Sequence, residues 1–324
     1  MVVLSEVDKD LTTKFYKTMV KIRTFEKNIE RLSLEGEIPG FVHLYIGEEA
    51  IATGVCANLT KKDYIESTHR GHGHTIAKGA DINRMMAEIF GRETGFCKGK
   101  GGSMHIADFS IGMLGANGVV GGGYNLAVGA ALAIKYQGRK DVSVVFFGDG
   151  ASNRGTFHEA ANFASIFKLP VIFVCENNKW ASTTPYRTTT SVENIADRAV
   201  GYNMPGVIVD GNDVFKVYKV AQEAIERARH GGGPTLIEAK TYRIKGHFVG
   251  DPEKYRTKEE VQEQFEKNDP IKNFKKEALD KGLMTREEMD EINEKTQKSL
   301  VEAIKFAKDS PFPDPSELYE DLYV

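Results

Sequence analysis

The chain has 324 residues, 41% of them hydrophobic and 27% charged, with a formal net charge of −3. That suits one large α/β domain or two medium ones and offers no basic excess for nucleic acid or an anionic membrane. Three widely spaced cysteines, Cys56, Cys97 and Cys175, form neither a disulfide framework nor a CxxC zinc pattern. With no signal-like start and no apolar run of transmembrane length, a soluble, cytoplasmic protein is expected.

In chain order, Lys14 to Leu34 reads as an amphipathic helix, because Phe15, Met19, Ile22, Phe25, Ile29 and Leu32 recur three or four apart. Glu48 to Leu59 predicts a shorter helix. "DINRMMAEIFGR" predicts a third, with Asp81 as its N-cap. Gly95 to Gly123 is glycine-dense and aperiodic, too long for an ordinary connection, and is expected to be a functional loop. "NLAVGAALAIKYQG" predicts an almost wholly apolar helix buried on most sides. An alternation follows. "VSVVFF", "PVIFVCE", "PGVIVDG" and "PTLIEAKTYR" read as strands, and "NRGTFHEAANFASIFK", "SVENIADRAVGY" and "DVFKVYKVAQEAIERARHG" as helices. Continuous apolar strands alternating with helices imply an α/β fold, a mostly parallel central sheet with helices on both faces. After the polar loop "IKGHFVGDPEKYR", residues 257 to 310 are charged and helical. The tail "SPFPDPSELYEDLYV" keeps enough aromatic and aliphatic side chains, among them Phe312, Leu318, Leu322 and Tyr323, to be expected docked.

Ligands of open α/β sheets sit beyond the C-terminal ends of the strands. Two loops there stand out. Gly148-Asp149-Gly150 ends one predicted strand and Glu176-Asn177-Asn178 the next, 26 residues on, about one strand-helix-strand unit. Side by side they would offer a carboxylate, amide oxygens and bare backbone. A hard cation such as Mg²⁺ takes a few protein oxygens and shares phosphate oxygens. The helix expected to begin near Asn153 would add its positive end. Either loop alone is more often a helix cap or a turn; the pair at this spacing favours a Mg²⁺-diphosphate clamp. "GFCKGKGG" lacks the spacing and the Ser/Thr of a Walker loop, and no clear strand precedes "GANGVVGGG". His69, His72 and His74 have no nearby acid or cysteine to complete a zinc site, and hydrogen-bonded loop ordering suits His72 and His74 as well.

GDG, 26 residues, then NN matches the thiamine diphosphate fingerprint. With "GKGGSMH", "GANGVVGGG", "CENNKW" and "YRTKEEV", the chain resembles the α subunit of the E1 component of 2-oxoacid dehydrogenase-type complexes, from about residue 14 to 306. "VGGG" and "GHFVGDP" look most like the acetoin dehydrogenase branch. The resemblance implies a single thiamine diphosphate-binding domain over residues 1–324, with an N-terminal helix at about 14–34 and a helical extension at about 257–324. It implies Mg²⁺ held by the Asp149 and Asn178 side chains and the Trp180 carbonyl, and a diphosphate lined by Gly148, Gly150 and Ala151. His69-Arg70 matches a Tyr-Arg pair of pyruvate-type relatives, with Arg70 reaching a phosphate. Gly118 and Val120 would meet the aminopyrimidine. His247 would sit on a mobile loop over the diphosphate and assist catalysis or transfer to lipoyl-E2, with His43 on the substrate side. Phe248 stands where kinase-regulated relatives carry Ser.

The glutamate that such enzymes place on the aminopyrimidine belongs to a β subunit, so the expected assembly is an α2β2 heterotetramer serving a lipoyl-bearing E2. The expected reaction is cleavage of acetoin to acetaldehyde and an acetyl unit passed to lipoyl-E2. The alternatives are a pyruvate or branched-chain 2-oxoacid E1 α subunit, or, from another class, a noncatalytic Mg-diphosphate-binding assembly partner.

Overall fold

The computed structural model describes residues 9–320 and 322. The elements in chain order are α1 (Lys9–Leu34), α2 (Glu49–Cys56), β1 (Tyr64–Glu66), α3 (His72–Lys78), α4 (Ile82–Ile89), β2 (Met113–Gly115), α5 (Gly123–Tyr136), β3 (Ser143–Gly148), α6 (Gly155–Ile166), β4 (Val171–Asn177), the two-residue ladder β5 (Trp180–Ala181) and β6 (Thr184–Pro185), β7 (Gly206–Asp210), α7 (Val214–Arg229), β8 (Thr235–Lys240), α8 (Lys258–Asn268), α9 (Pro270–Asp280) and α10 (Arg286–Asp309). Six strands form one parallel sheet in the order β2-β1-β3-β4-β8-β7.

The apolar runs explain the layering. In β3, Val144 and Phe146 point to one face and Val145 and Phe147 to the other, as the two-residue period of a strand requires. The first pair packs with Ile172 and Val174 under α2 and α7; the second packs with Phe173 and Cys175 under α5 and α6. Each side chain fully buried in this way contributes about 1.5–3 kcal/mol. Helix α2 lies so close to α7 that a Cβ on Gly54 would come within 2.7 Å of Val217 Cγ1 and 2.9 Å of the Tyr218 amide nitrogen, so only glycine fits that crossing. Helix α1 buries the six predicted apolar positions and is already helical at Lys9, the first described residue, ahead of the start its periodicity suggests. Asp81 caps α4, accepting from the backbone N–H of Asn83 and Arg84.

Several expectations change. The short strands β1 and β2 escape the sequence, because three residues are too few to show a period. Helix α2 stops at Cys56 rather than Leu59. "SVENIADRAVGY" supplies a 3₁₀ helix, Ile195–Tyr202, not an α-helix. A 3₁₀ turn, Asp149–Asn153, intervenes before α6, which begins at Gly155, two residues past Asn153. Helix α5 is not buried on most sides: Leu126, Leu132 and Tyr136 are exposed along one face. The tail is held mainly by polar contacts, with Glu317 paired to Lys98 and Lys100, while Leu318, Tyr319 and Leu322 are exposed. Phe312 lies under the Arg92 guanidinium, 3.7 Å from it. Tyr323 lies outside the described residues. Among the described residues no helix is long and apolar enough to cross a membrane.

Candidate functional site

The register of β3 on β4 pairs Gly148 with Glu176, which sets the two C-terminal loops side by side. Beyond them lies a cavity of about 380 Å³. His43, His69, Arg70, Gly118, Val120, Gly148, Asp149, Gly150, Ala151, Asn178, Trp180 and His247 all line it. Every site residue expected from the sequence is therefore gathered in one place, from segments as far apart as 43 and 247.

Asp149 opens the 3₁₀ turn. It is 1% exposed, and its Oδ2 is buried with no hydrogen-bond partner among the described residues. Burial pushes its carboxyl up to about 6. An ionised carboxylate out of water without a partner is unfavourable, and a bound cation would relieve it. A Cβ on Gly150 would fall 2.5 Å from Ala181 Cβ, so the turn can lie this close to β5 only with glycine there.

The two asparagines diverge. Asn177 Nδ2 donates to Glu238 Oε1 at 2.7 Å, which ties it into the sheet. Asn178 faces the cavity instead. Its backbone is pinned by the Arg243 N–H at 3.1 Å, and Lys179 turns the chain in the left-handed region, φ 74°. Asn178 Nδ2 donates to Glu48 Oε1 at 3.0 Å, while its Oδ1 receives only a long contact, 3.4 Å, from the Trp180 N–H. The Trp180 carbonyl accepts from Arg243 Nη1 at 3.2 Å, which leaves one lone pair for another partner. Asp149 Oδ2, Asn178 Oδ1 and the Trp180 carbonyl are thus the oxygens available to a hard cation.

Two guanidinium groups share the cavity wall. Arg70 donates to the carbonyls of Leu44, at 2.7 Å, and His247, at 2.8 Å. Arg243 donates to Trp180 O and to the Tyr255 hydroxyl, and its buried Nε has no partner among the described residues. Burial lowers both, Arg70 to about 10. Neither is ion-paired among the described residues, so the cavity carries positive charge that suits an anion. Arg243 was missed at the sequence level. Its signal was a cation just past a strand end, in "TYRIKGHF".

His43, His69 and His247 form a knot, with ring centroids 4.7, 5.0 and 5.4 Å apart and one nitrogen of each within 4.8 Å of the others. Burial, then Arg70, drives His43 down to about 3 and His247 to about 4, and takes His69 well below its ordinary value. All three are therefore uncharged near pH 7. Such a trio could ligate a metal, but the two neighbouring guanidinium groups oppose a cation there. His72 and His74 turn elsewhere. His72 bridges Glu26 and Ser103, and His74 bridges Ser67 and Glu176, so both order loops through hydrogen bonds.

The glycine-dense loop is organised by one residue that sequence reading passed over. Buried Glu88 on α4 accepts four backbone N–H groups, from Cys97, Gly99, Gly101 and Gly102, at 2.7 to 3.1 Å. That wrapping brings Met104 to the cavity and Ser103 to His72.

The family described as "Dehydrogenase E1 component" matches residues 16–316. The chain is 56% identical over 309 residues, 95% of its length and 92% of the relative's, to the alpha subunit of the acetoin:2,6-dichlorophenolindophenol oxidoreductase of Bacillus subtilis. The protein of the same description from Cupriavidus necator is 48% identical, with 98% of this chain and 96% of the relative covered. The pyruvate dehydrogenase E1 component subunit alpha of Rhizobium meliloti is 40% identical, with 99% and 92% covered.

Proposed function

The chain belongs to the dehydrogenase E1 component family, and on that premise we propose that it is the α subunit of an enzyme that cleaves acetoin to acetaldehyde and passes the acetyl unit to a lipoyl-bearing E2. Family membership brings thiamine diphosphate with it; when bound, its thiazolium supplies the nucleophile and the electron sink. The observation that carries the reading is one cavity lined by Asp149, whose buried Oδ2 has no hydrogen-bond partner among the described residues, and by Arg243, whose Nε likewise has none. A Mg²⁺-diphosphate would satisfy both at once. Asp149, Asn178 and the Trp180 carbonyl would hold Mg²⁺. Gly148, Gly150 and Ala151 would admit the diphosphate, with Arg70, Arg243 and His69 facing its charge. Gly118 and Val120 would meet the aminopyrimidine. His43 and His247, uncharged near pH 7, can each accept the hydroxyl proton that an α-hydroxyketone loses when its C–C bond breaks.

The α-subunit relatives imply a β partner, and we propose an α2β2 heterotetramer. The exposed apolar face of α5, continued by Phe163 and Ile166 on α6 and by Phe167 just past its end, is of the kind that subunit contacts cover. The greater identity to the acetoin-type relatives, 56% and 48% against 40%, favours acetoin over pyruvate. Free cysteines, with Cys56 and Cys175 buried, suit a cytoplasmic setting.

The test is a substrate panel with the reconstituted α/β pair, Mg²⁺ and thiamine diphosphate. The expected kcat/KM for acetoin exceeds that for pyruvate and branched-chain 2-oxoacids by at least about tenfold. A preference for a 2-oxoacid overturns the substrate. Asp149→Ala is expected to abolish turnover in an intact assembly; full activity in that variant overturns the site.

A further inference from the structure

Two adjacent glutamates at the start of α2 have opposite surroundings. Glu49 is ion-paired to Arg23, whose guanidinium also holds Asp269. Glu48, 1% exposed, has no ion pair among the described residues. It occupies the N-cap position of α2, yet its side chain caps no backbone N–H. Among the described residues its side chain makes one hydrogen bond, accepted from Asn178 Nδ2 at 3.0 Å, and its Oε2 is buried without a partner. A carboxylate buried for helix capping or charge pairing would do one of those things.

Its single bond falls on an amide whose two ends are chemical opposites. The oxygen of Asn178 can ligate a cation; its NH₂ can only donate, and it repels one. The oxygen end is weakly held, by the 3.4 Å contact from the Trp180 N–H, so nothing on that side fixes the amide against a half-turn. Only the Nδ2 end is firmly engaged, and Glu48 engages it. Asn178 lines the cavity and Glu48 stands behind it. The segment carrying Glu48 is itself clamped to the same strand end. The Tyr45 hydroxyl donates to Glu176, and the Glu48 N–H to the Tyr45 carbonyl at 3.2 Å.

We propose that Glu48 is a positioning residue for the cation site: by accepting from Asn178 Nδ2 it holds Asn178 Oδ1 toward the cavity, set to ligate a divalent cation. The inference rests on the reading of Asp149, Asn178 and Trp180 as the Mg²⁺ site. It assigns Glu48 no contact with substrate or cofactor.

The test titrates Mg²⁺ into the assembled α/β protein and follows thiamine diphosphate binding by calorimetry, which needs no turnover. Loss of an outer-shell partner typically lowers metal affinity about 10–100-fold. Glu48→Leu, which has no acceptor, is expected to raise the half-saturating Mg²⁺ by that factor and to leave thiamine diphosphate binding at saturating Mg²⁺ unchanged. Glu48→Gln, which keeps an acceptor oxygen, is expected to restore the wild-type midpoint. A purely structural role would lower the melting temperature without moving the Mg²⁺ midpoint. The proposal fails if Glu48→Leu titrates like wild type, or if Glu48→Gln moves the midpoint as far as Glu48→Leu does. Should Glu48→Leu not assemble, Glu48→Met makes the same comparison with a side chain of similar length. Asp149→Ala in the same titration separates the two readings. If that variant keeps the wild-type Mg²⁺ dependence, the site assignment has failed. If it loses that dependence while Glu48→Leu does not, only the positioning role has failed.

Discussion

Asp149→Asn is expected to stabilise the cofactor-free protein at alkaline pH while removing its response to Mg²⁺. Asp149 is buried, its Oδ2 has no partner, and burial raises its carboxyl from the ordinary 3.8 to about 6. At 1.36 kcal/mol per pH unit, that rise corresponds to about 3 kcal/mol of stability. The sign follows from proton binding. The folded state holds this proton more tightly than the unfolded chain, so stability is fullest below pH 3.8, falls as pH rises through about 6, and is level above that. The asparagine has no charge to bury but still lacks a hydrogen-bond partner, which takes back about 1 kcal/mol. The net gain for Asp149→Asn at pH 8 is therefore about 2 kcal/mol. A chain of this length unfolds with an entropy of about 0.7 kcal/mol per kelvin, so the melting temperature should rise by about 3 °C. At pH 4 the gain should vanish or reverse slightly, because the wild-type carboxyl is then protonated in the fold. Thermal melts of both proteins at pH 4 and pH 8, without and with Mg²⁺-thiamine diphosphate, make the comparison. Groups that titrate in both proteins cancel in the difference. Mg²⁺-thiamine diphosphate should raise the wild-type melting temperature and leave that of the variant where it was. A variant less stable than wild type at pH 8, or a difference that ignores pH, would refute the picture of an uncompensated carboxylate.

Two other outcomes are expected. Glu88→Ala strips the acceptor from four backbone N–H groups, each bond to a charged group being worth about 1.5–3 kcal/mol, and should cost at least about 3 kcal/mol in chemical denaturation. Amide exchange should quicken at Cys97, Gly99, Gly101 and Gly102; unchanged protection there would show that Glu88 does not hold the loop. On the exposed helical face, Leu126→Glu combined with Ile166→Glu should leave the isolated chain folded by circular dichroism. The same pair should weaken association with the β chain at least about 100-fold in analytical ultracentrifugation, because a charge must then be desolvated in the contact. Normal assembly would place the partner elsewhere.

Much of the site was legible because its parts are local. Gly148-Asp149-Gly150 and Asn177-Asn178 each sit at a strand end that the apolar runs mark, and one strand-helix-strand unit brings strand ends together in parallel register. The histidines were legible as residues but not as a group. His43, His69 and His247 meet only because loops from three distant segments converge, and no spacing along the chain encodes that distance. Arg243 and Glu88 were passed over for a related reason. A cation after a strand and a glutamate on a helix are ordinary until it is known what surrounds them. The exposed face of α5 was misread in the other direction, since an apolar helix reads the same whether its own chain or another buries it.

The amino-acid sequence alone determined the α/β architecture of the central strands and the identity of the loops beyond them. Periodicity and strand-end placement are properties of short stretches, and backbone hydrogen bonding turns them into structure with little outside help. Tertiary structure decided the electrostatics. Among the described residues it left Asp149 Oδ2 and Arg243 Nε in one cavity without partners, held three imidazoles uncharged beside two guanidinium groups, and set Glu48 behind Asn178. Each of these depends on which groups are within a few ångströms and on how much water is excluded. Charge energies vary with distance and dielectric, and the sequence lists neither.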